Sequence, residues 1–462
     1  MQRYFSFSIL LFIISTVSAQ DTDILSKEFH AGRREALREL LPPNSCAVFF
    51  SEEEEEKEGN IKRNSYHQDP NFYYLTGLKE SNAMLILFKE AQEIPDEGKQ
   101  QDVIFVKNLN PAQEVWTGHL LGKEGVKKTL GFSCVYINTT LTNFSFNFSK
   151  LDKIYLLEPL KTCSNGVEKK EINLSTVFST KISSYSNSKV ETEALPGMLG
   201  TLRSIKQPEE IELMRKAAVN GVAAHQELMK ALVPGMYEYQ AQAVIEYMFK
   251  QGGMECVAYP SIVGGGENSC ILHYEENRKK LSGTDMLVID AAGEYHGYAA
   301  DITRTLPVDG KFSTEEQLIY DIVLEAQEKG IEACKAGNGF RAPHLASVAV
   351  IQKRLLELGI IKKETEYTKY FFHGTSHYLG LDVHDVGHYG KLEPGNVITV
   401  EPGIYIPVGA PCDPKWWNIG VRIEDDVLIT SGEPDVLSGK LPKKTVEIEA
   451  IMKEESELNK IR

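Results

Sequence analysis

The chain has 462 residues, of which 42% are hydrophobic and 25% charged, so disorder, collagen and coiled coil are excluded as its main architecture. Its 65 acidic and 50 basic residues give a formal net charge of −15, which argues against the broad basic surface of a nucleic-acid-binding protein. The seven cysteines form no C-x-x-C pair, which argues against a disulfide framework and a thiolate zinc site.

The first 19 residues have the three parts of a secretory signal peptide. Arg3 supplies a positive charge, residues 5–17 form a mostly apolar run, and residues 17–19 are a small-residue cleavage site. A membrane anchor is the alternative, but the run is shorter than the roughly 20 apolar residues that a transmembrane helix needs. We therefore expect residues 1–19 to be removed, and the mature chain to be exported to the periplasm or the extracellular space without a membrane anchor.

An exported chain can be modified by N-glycosylation and by disulfide formation. Glycans can attach only if the host glycosylates exported proteins, and the N-x-S/T acceptor sites are Asn138, Asn143, Asn147 and Asn173. The odd number of cysteines leaves at least one thiol without an intramolecular partner. Cys256 and Cys270 lie near each other in the sequence, but the sequence does not decide whether they form a disulfide.

Residues 23–190 predict a small α/β domain, because short apolar runs typical of buried strands alternate with helical stretches. Strands are predicted at residues 46–50, 84–88, 103–106 and 154–157. The acidic run at 52–56 predicts a solvated loop, because five adjacent like charges repel one another.

A second domain is predicted over residues 206–452, after a linker at 191–205 that contains the turn signal Pro196-Gly197. Pro208 followed by two glutamates predicts a helix start, since proline is tolerated there and carboxylates favour the positive end of the helix dipole. From there the chain mixes helices with strand hairpins, and residues 453–462 are a predicted tail.

Two aspartates occupy unusual places in this second domain. Residues 286–289 predict an apolar strand that Asp290 ends, and Asp301 follows 11 positions later on the predicted return strand of a hairpin. On two paired antiparallel strands, the two carboxylates can face each other.

Three of the eleven histidines lie within 12 positions, at His373, His377 and His384. A lone histidine is more often a hydrogen-bonded structural residue than a ligand, so the signal lies in the group.

Two further strands carry charged residues. Residues 397–400 predict a strand that ends at Glu401. In residues 420–425, Arg422 and Glu424 are separated by one position and therefore project from the same face of a strand.

A single carboxylate at a strand end is usually a cap or a solvated residue, so the prediction depends on the whole set. Four carboxylates and one imidazole form a hard, oxygen-rich donor set that suits Mn²⁺, Zn²⁺ or Co²⁺. Clustered carboxylates repel strongly in a low-dielectric site unless cations neutralise them, and two divalent ions would bring +4 against −4.

These segments resemble the metallopeptidases of the pita-bread fold, which include aminopeptidase P, prolidase and methionine aminopeptidase. The motifs that carry the resemblance are HGTSHYLGLDVHDVG (373–387), VITVEPGIY (397–405) and VRIEDDVLI (421–429). Residues 63–64 and 69–77 resemble the N-terminal domain of aminopeptidase P and prolidase, which methionine aminopeptidases lack. The resemblance implies an α+β chain, in which a pita-bread catalytic domain follows a smaller α/β domain of the creatinase/prolidase type.

The resemblance also implies two divalent metal ions per subunit, with Mn²⁺ expected and Zn²⁺ or Co²⁺ accepted by the same donors. The implied ligands are Asp290, Asp301, His377, Glu401 and Glu424. Asp301 and Glu424 would bridge the ions, Asp290 would bind one of them, and His377 with Glu401 would complete the other.

Further residues acquire roles through the same resemblance. His273 would lie on the substrate side, His384 would hydrogen-bond the substrate carbonyl or the tetrahedral intermediate, and His373 would pack beside the pocket. Arg422 would support the glutamate ligands, and Glu401 would carry a proton to the leaving nitrogen as well as bind metal.

The implied reaction is hydrolysis of the bond between an N-terminal residue and a following proline, by attack of a metal-activated hydroxide on a peptide substrate. Prolidase, which cuts only Xaa-Pro dipeptides, shares the ligands and is the alternative; the short distance from 373–390 to 392–403 favours aminopeptidase P. A creatinase-like amidinohydrolase or a metal-free binding module of this fold would lack the ligands, which are all present. The resemblance also implies a homo-oligomer, either a dimer or a tetramer.

Overall fold

The structure is a computed structural model that describes residues 24–53, 66–158, 173–183 and 189–460. The predicted signal peptide lies outside the described residues, as does most of the acidic run at 52–56. Within the described residues, no helix is both long enough and apolar enough to cross a membrane.

A six-stranded mixed sheet forms the centre of the N-terminal part. Its strands are β1 (Ser45–Phe50), β2 (Met84–Ile94), β3 (Gly98–Val106), β4 (Cys134–Ile137), β5 (Lys153–Tyr155) and β6 (Lys189–Glu191), in the spatial order β4-β3-β2-β1-β5-β6. β2 pairs antiparallel with β1 and β3, whereas the other three pairings are parallel. The four predicted strands are confirmed, with ends that differ by up to six residues.

Both faces of this sheet are buried, because successive side chains of a strand point to opposite sides. On β1, Ala47 and Phe49 join one apolar cluster, whereas Cys46 and Val48 join another on the opposite face. The helices in the described residues of this part are α1 (Lys27–Leu40), α2 (Pro70–Thr76), α3 (Pro111–Thr117), α4 (Gly122–Gly125), α5 (Leu174–Ser183) and α6 (Ala194–Ser204).

The turn predicted at Pro196-Gly197 is wrong, since both residues lie inside α6. Pro196 falls in the first turn of that helix, where its missing N–H leaves no hydrogen bond unmade. The limits of the predicted linker, 191–205, stay a prediction.

Helices cover the strands of the C-terminal part. The helices are α7 (Pro208–Ala231), α8 (Glu238–Gln251), α9 (Thr314–Glu332), α10 (Ala342–Glu357) and α11 (Thr445–Ile451). The predicted start of α7 at Pro208 is confirmed, and Glu210 completes it by accepting a hydrogen bond from the Gln207 N–H at 2.8 Å.

The strands of this part form several short antiparallel sheets. They are β7 (Cys256–Val257), β8 (Ile262–Gly265), β9 (Met286–Asp290), β10 (Gly293–Tyr295), β11 (Tyr298–Ala299), β12 (Thr303–Pro307), β13 (Val397–Val400), β14 (Gly403–Ile406), β15 (Ile419–Arg422), β16 (Asp425–Leu428) and β17 (Asp435–Val436). The sheets have the orders β11-β10-β7, β12-β9-β8, β13-β16-β17 and β14-β15. One apolar core joins α7 to α10 with strands β9, β12 and β15.

The modification sites differ in exposure. Asn138 is buried and its Nδ2 donates to Asn82 O at 3.0 Å, whereas Asn143 and Asn147 are exposed. Cys256 and Cys270 are free thiols, so the disulfide that the sequence left open is not formed.

A buried ion network joins the two parts of the chain. The Arg203 guanidinium, 2% exposed, donates to Asn71 Oδ1 at 2.7 Å, Asp382 Oδ2 at 2.8 Å and Asp385 Oδ1 at 2.5 Å. Lys206 Nζ donates to the other Asp385 oxygen at 2.9 Å. Asp385 is therefore the counterion of two buried cations, and it fixes the loop that contains the neighbouring residue His384.

We expect Asp385→Asn to lower the free energy of unfolding by about 3–5 kcal/mol, because it leaves buried cations without their carboxylate. Asp382→Asn is the matched control: its side chain is 43% exposed, so the loss should be about 0–1 kcal/mol. Urea unfolding followed by circular dichroism measures both, and equal losses would contradict this account of the network.

Candidate active site

Asp290 and Asp301 lie where two antiparallel strands meet. Asp290 is the last residue of β9 and pairs with Thr303, the first residue of β12, so Asp301 stands just beyond the ladder. The predicted hairpin is confirmed as this β9-β12 pairing, although a smaller β10-β11 hairpin interrupts its connection. The Tyr259 hydroxyl lies 2.7 Å from one carboxylate oxygen of each aspartate and ties the pair together.

His377 and Glu401 are brought to the aspartates by β13 and the loop beside it. His377 Nδ1 donates to the Tyr378 carbonyl at 3.0 Å, which leaves Nε2 facing the carboxylates. That nitrogen lies 3.4 Å from Asp301 Oδ2 and 3.6 Å from Glu401 Oε1. A histidine whose other nitrogen donates to a carbonyl is oriented as metal-binding histidines usually are.

Glu424 reaches the site from the break between β15 and β16. Its backbone N–H donates to Thr303 O at 3.1 Å, and its carboxylate accepts from the Thr303 hydroxyl at 2.6 Å. Arg422, the last residue of β15, donates to Asp290 Oδ2 at 2.7 Å. The single strand predicted for Arg422 and Glu424 is thus divided after Arg422. Even so, Arg422 contacts Asp290 at the end of β9, and Glu424 contacts Thr303, its partner at the start of β12.

The donor set fits divalent cations. Asp301, His377 and Glu424 each offer a ligand atom within 4.8 Å of the others, and Asp290 and Glu401 line the same cleft of about 610 Å³. All four carboxylates are largely buried. Among the described residues, the cationic groups that contact them are Arg422 and His377, which carry two positive charges against four negative ones.

The pKa values of the carboxyl groups and of His377 are shifted because these groups are buried close together. Burial raises the pKa of Glu401 to about 7, and burial with neighbouring carboxylates raises the pKa of Asp290 and lifts that of Glu424 well above its usual range. Burial alone would lower the pKa of His377, but Asp301 and Glu401 raise it to about 9. The site favours added positive charge, which two divalent ions would supply.

The remaining predicted residues line the same cleft. His273 and His384 are exposed, and the His384 ring lies 4.4 Å from the His377 ring. His373 is more enclosed: its Nδ1 donates to the Gly374 carbonyl, and its Nε2 lies 2.9 Å from the Tyr405 hydroxyl. Burial lowers the pKa of His373 to about 4, so it is neutral at pH 7.

Sequence reasoning missed two tyrosines of the site. Tyr259 bridges the aspartates, and Tyr405 accepts a hydrogen bond from Arg422 Nη1 at 3.1 Å while it bonds to His373. Tyr405 ends the VITVEPGIY motif and could have been suspected from it. Tyr259 lies outside every motif, so only the folded chain reveals its role.

Known proteins resemble this chain over most of its length. Residues 212–431 match the sequence profile of "Metallopeptidase family M24", and residues 30–155 match "Aminopeptidase P, N-terminal domain". A Xaa-Pro aminopeptidase of Haemophilus influenzae is 35% identical over 442 residues, which is 93% of this chain and 98% of that protein. The chain belongs to metallopeptidase family M24.

Other M24 relatives extend this result. A Xaa-Pro aminopeptidase of Escherichia coli is 35% identical, across 93% of this chain and 98% of that protein. The structure of Pseudomonas aeruginosa aminopeptidase PepP superposes with a TM-score of 0.83 at 33% identity, covering 93% of this chain and 98% of that one. Escherichia coli aminopeptidase P with the inhibitor Pro-Leu gives a TM-score of 0.83 at 34% identity, with the same coverage. The predicted α+β architecture is confirmed, and the M24 protein is a metallo-aminopeptidase.

His225 on α7 supports the chain directly after Asp290. It is 1% exposed, and its Nε2 lies 2.9 Å from the Ala291 carbonyl oxygen. Burial lowers its pKa from 6.5 to about 4. The neutral ring therefore stabilises the fold fully above pH 6.5, and this contribution is lost as the pH falls through about 4.

We expect the stability of the protein to fall by about 2 kcal/mol between pH 7 and pH 5 through His225 alone, since the unfolded chain gains that proton first. His225→Gln removes the titration and should flatten the dependence. Urea unfolding of the chelator-treated wild type and variant at both pH values measures the difference. Equal slopes would show that the pKa of His225 is not lowered in the folded state.

Proposed function

We propose that this metallo-aminopeptidase releases the N-terminal residue of peptides whose second residue is proline. The observation that carries the proposal is the convergence of all five predicted donors in one cleft. Relatives named for Xaa-Pro cleavage match 93% of the chain, whereas the prolidase alternative has no such support.

Two divalent cations would be held by Asp290, Asp301, His377, Glu401 and Glu424. When bound, they supply a nucleophilic water near neutral pH and Lewis-acid polarisation of the scissile carbonyl. Mn²⁺ is our first candidate from the family resemblance, and the donor set also suits zinc or cobalt. An Escherichia coli aminopeptidase P structure described as zinc-substituted supports the same range of metals.

In the proposed reaction, Glu401 carries the proton. The nitrogen of an Xaa-Pro bond has no hydrogen, so it must gain a proton as it leaves. Glu401 Oε2 lies on the His373 side, 3.7 Å from His373 Nδ1, while Oε1 faces His377. A carboxylate that faces both sides of the cleft can take a proton from the attacking water and release it to that nitrogen.

In the proposed reaction, His384 stabilises the developing oxyanion. Burial and the nearby His377 lower its pKa, so its neutral ring offers one N–H to the cleft at pH 7. Arg422 is hydrogen-bonded to Tyr405 and Tyr405 to His373, and this series of hydrogen bonds fixes the His373 ring beside the cleft. A fixed ring beside the cleft and a hydrogen-bond donor within it would together hold a peptide carbonyl in one orientation.

Export and assembly are further parts of the proposal. The composition of residues 1–19 supports a cleaved signal peptide and therefore a periplasmic or extracellular enzyme. On α3, Val115 and Trp116 are 83% and 88% exposed, and exposed apolar side chains of this kind support a homo-oligomer, a dimer or tetramer.

Ala-Pro-Ala should be hydrolysed to alanine and Pro-Ala, with Ala-Ala-Ala and the dipeptide Ala-Pro cleaved far more slowly. A chelator should abolish the activity, and added Mn²⁺ should restore it, because the carboxylate cage needs its cations. Liquid chromatography of the products measures all three substrates. Cleavage of Ala-Pro alone would instead identify a prolidase.

His384→Ala should keep its metal and lose roughly 10²- to 10³-fold in kcat, the usual effect of removing one oxyanion donor. His119→Ala is the matched control, since that side chain is 96% exposed and does not line the cleft. Metal analysis accompanies the kinetics. A loss of metal in His384→Ala would show that His384 is a ligand instead.

A further inference from the structure

A second cavity of about 330 Å³ lies beside the cleft and shares a wall with it. The shared wall is formed by His373, Gly374 and Ser376, so the two spaces meet next to the metal ligands. Phe340, Arg341 and His344 form the rest of its lining with Thr375. None of the roles assigned so far uses this cavity.

The two cavities have opposite chemistry. Six acidic residues line the cleft, four of which are the predicted metal ligands, whereas no acidic residue lines the second cavity. Arg341 is exposed and has no ion-pair partner in the part of the chain that the structure describes. An arginine at the edge of a cavity without acids attracts an anionic group.

Two neutral polar groups accompany this arginine. Ser376 Oγ is buried and has no hydrogen-bond partner among the described residues. His344 Nδ1 is bonded to Thr375 Oγ1 at 2.9 Å, which leaves its Nε2 without a described partner. A buried hydroxyl without a partner is costly, so a ligand or water that bonds to Ser376 is stabilised there.

The floor of the cavity is fixed and apolar. Phe340 is 6% exposed, and its ring packs 5.0 Å from Tyr378 and 4.7 Å from Tyr389. The cavity thus combines an apolar surface with a cation and two hydrogen-bonding groups. That combination matches an amino-acid residue that bears a carboxylate.

We propose that this cavity, defined by Phe340, Arg341, His344 and Ser376, binds a carboxylate of the substrate on the C-terminal side of the scissile bond. The inference rests on the proposed function, because an aminopeptidase accepts one residue before that bond and only the following part is long enough to reach a second cavity. The carboxylate is either the C-terminus of a short peptide or an acidic side chain after proline.

The test measures binding of the product-like dipeptide Pro-Leu and of its C-terminal amide to Mn²⁺-loaded enzyme by calorimetry. The wild type should bind the amide roughly five- to tenfold more weakly, the range for a partly exposed charged hydrogen bond. Arg341→Gln should abolish this difference, and Arg341→Lys should keep part of it. Lys353→Gln, which removes a 73%-exposed cation from α10, should behave like the wild type.

A second pair of ligands separates the two carboxylate sources. If Pro-Glu-amide binds more tightly than Pro-Gln-amide, the cavity accepts an acidic side chain; equal binding assigns it to the C-terminus. Ser376→Ala should weaken Pro-Leu more than its amide, which tests the site independently of Arg341. Equal binding by the wild type within both pairs, Pro-Leu against its amide and Pro-Glu-amide against Pro-Gln-amide, would overturn the inference, as would a preference that is unchanged in Arg341→Gln.

These measurements do not depend on turnover. Absence of Ala-Pro-Ala hydrolysis would therefore count against the proposed function, whereas absence of the carboxylate preference counts against this cavity alone.

Discussion

The mutual repulsion of four buried carboxylates is the constraint on which this structure depends. Asp290, Asp301, Glu401 and Glu424 come from separate strand ends, and folding brings them together at a large electrostatic cost. His377 and Arg422 offset part of that cost, but the raised carboxyl pKa values show that positive charge is still lacking. Divalent cations, which family M24 implies, would offset the rest of this repulsion.

The strands that hold these carboxylates are themselves fixed by polar contacts. Thr303 bonds to Glu424 through both its hydroxyl and its carbonyl, and Arg304 is fully buried against Asp425. On the other side of the cleft, Arg203 and Lys206 hold Asp385, the neighbour of His384. Because Arg203 also bonds to Asn71, the N-terminal part helps to position a histidine of the active site.

The distribution of charge around the cleft gives a substrate two distinct environments. The carboxylates proposed as metal ligands line the cleft, while the neighbouring cavity contains Arg341 and no acid. A free peptide has an ammonium group at one end and a carboxylate at the other. A cleft that is acidic at its centre and basic at one edge would therefore orient such a peptide, which is what the proposed carboxylate site predicts.

Much of this protein could be predicted from the sequence by itself. Apolar runs located the strands β1, β2, β3, β5, β9 and β13, since such runs are local features of a chain. Asp290 and Glu401 stood out at the ends of two of these strands, Asp301 and Glu424 within predicted strands, and His377 in a group of histidines. The family resemblance then made all five metal-ligand candidates. The sequence did not predict the helix over Pro196-Gly197 or the break after Arg422, because packing against distant segments decides both. Tyr259, the Arg203–Asp385 network and the Arg341 cavity depend on contacts between residues far apart in sequence. Only the tertiary structure brings those residues together, since no local pattern records which distant side chains will meet.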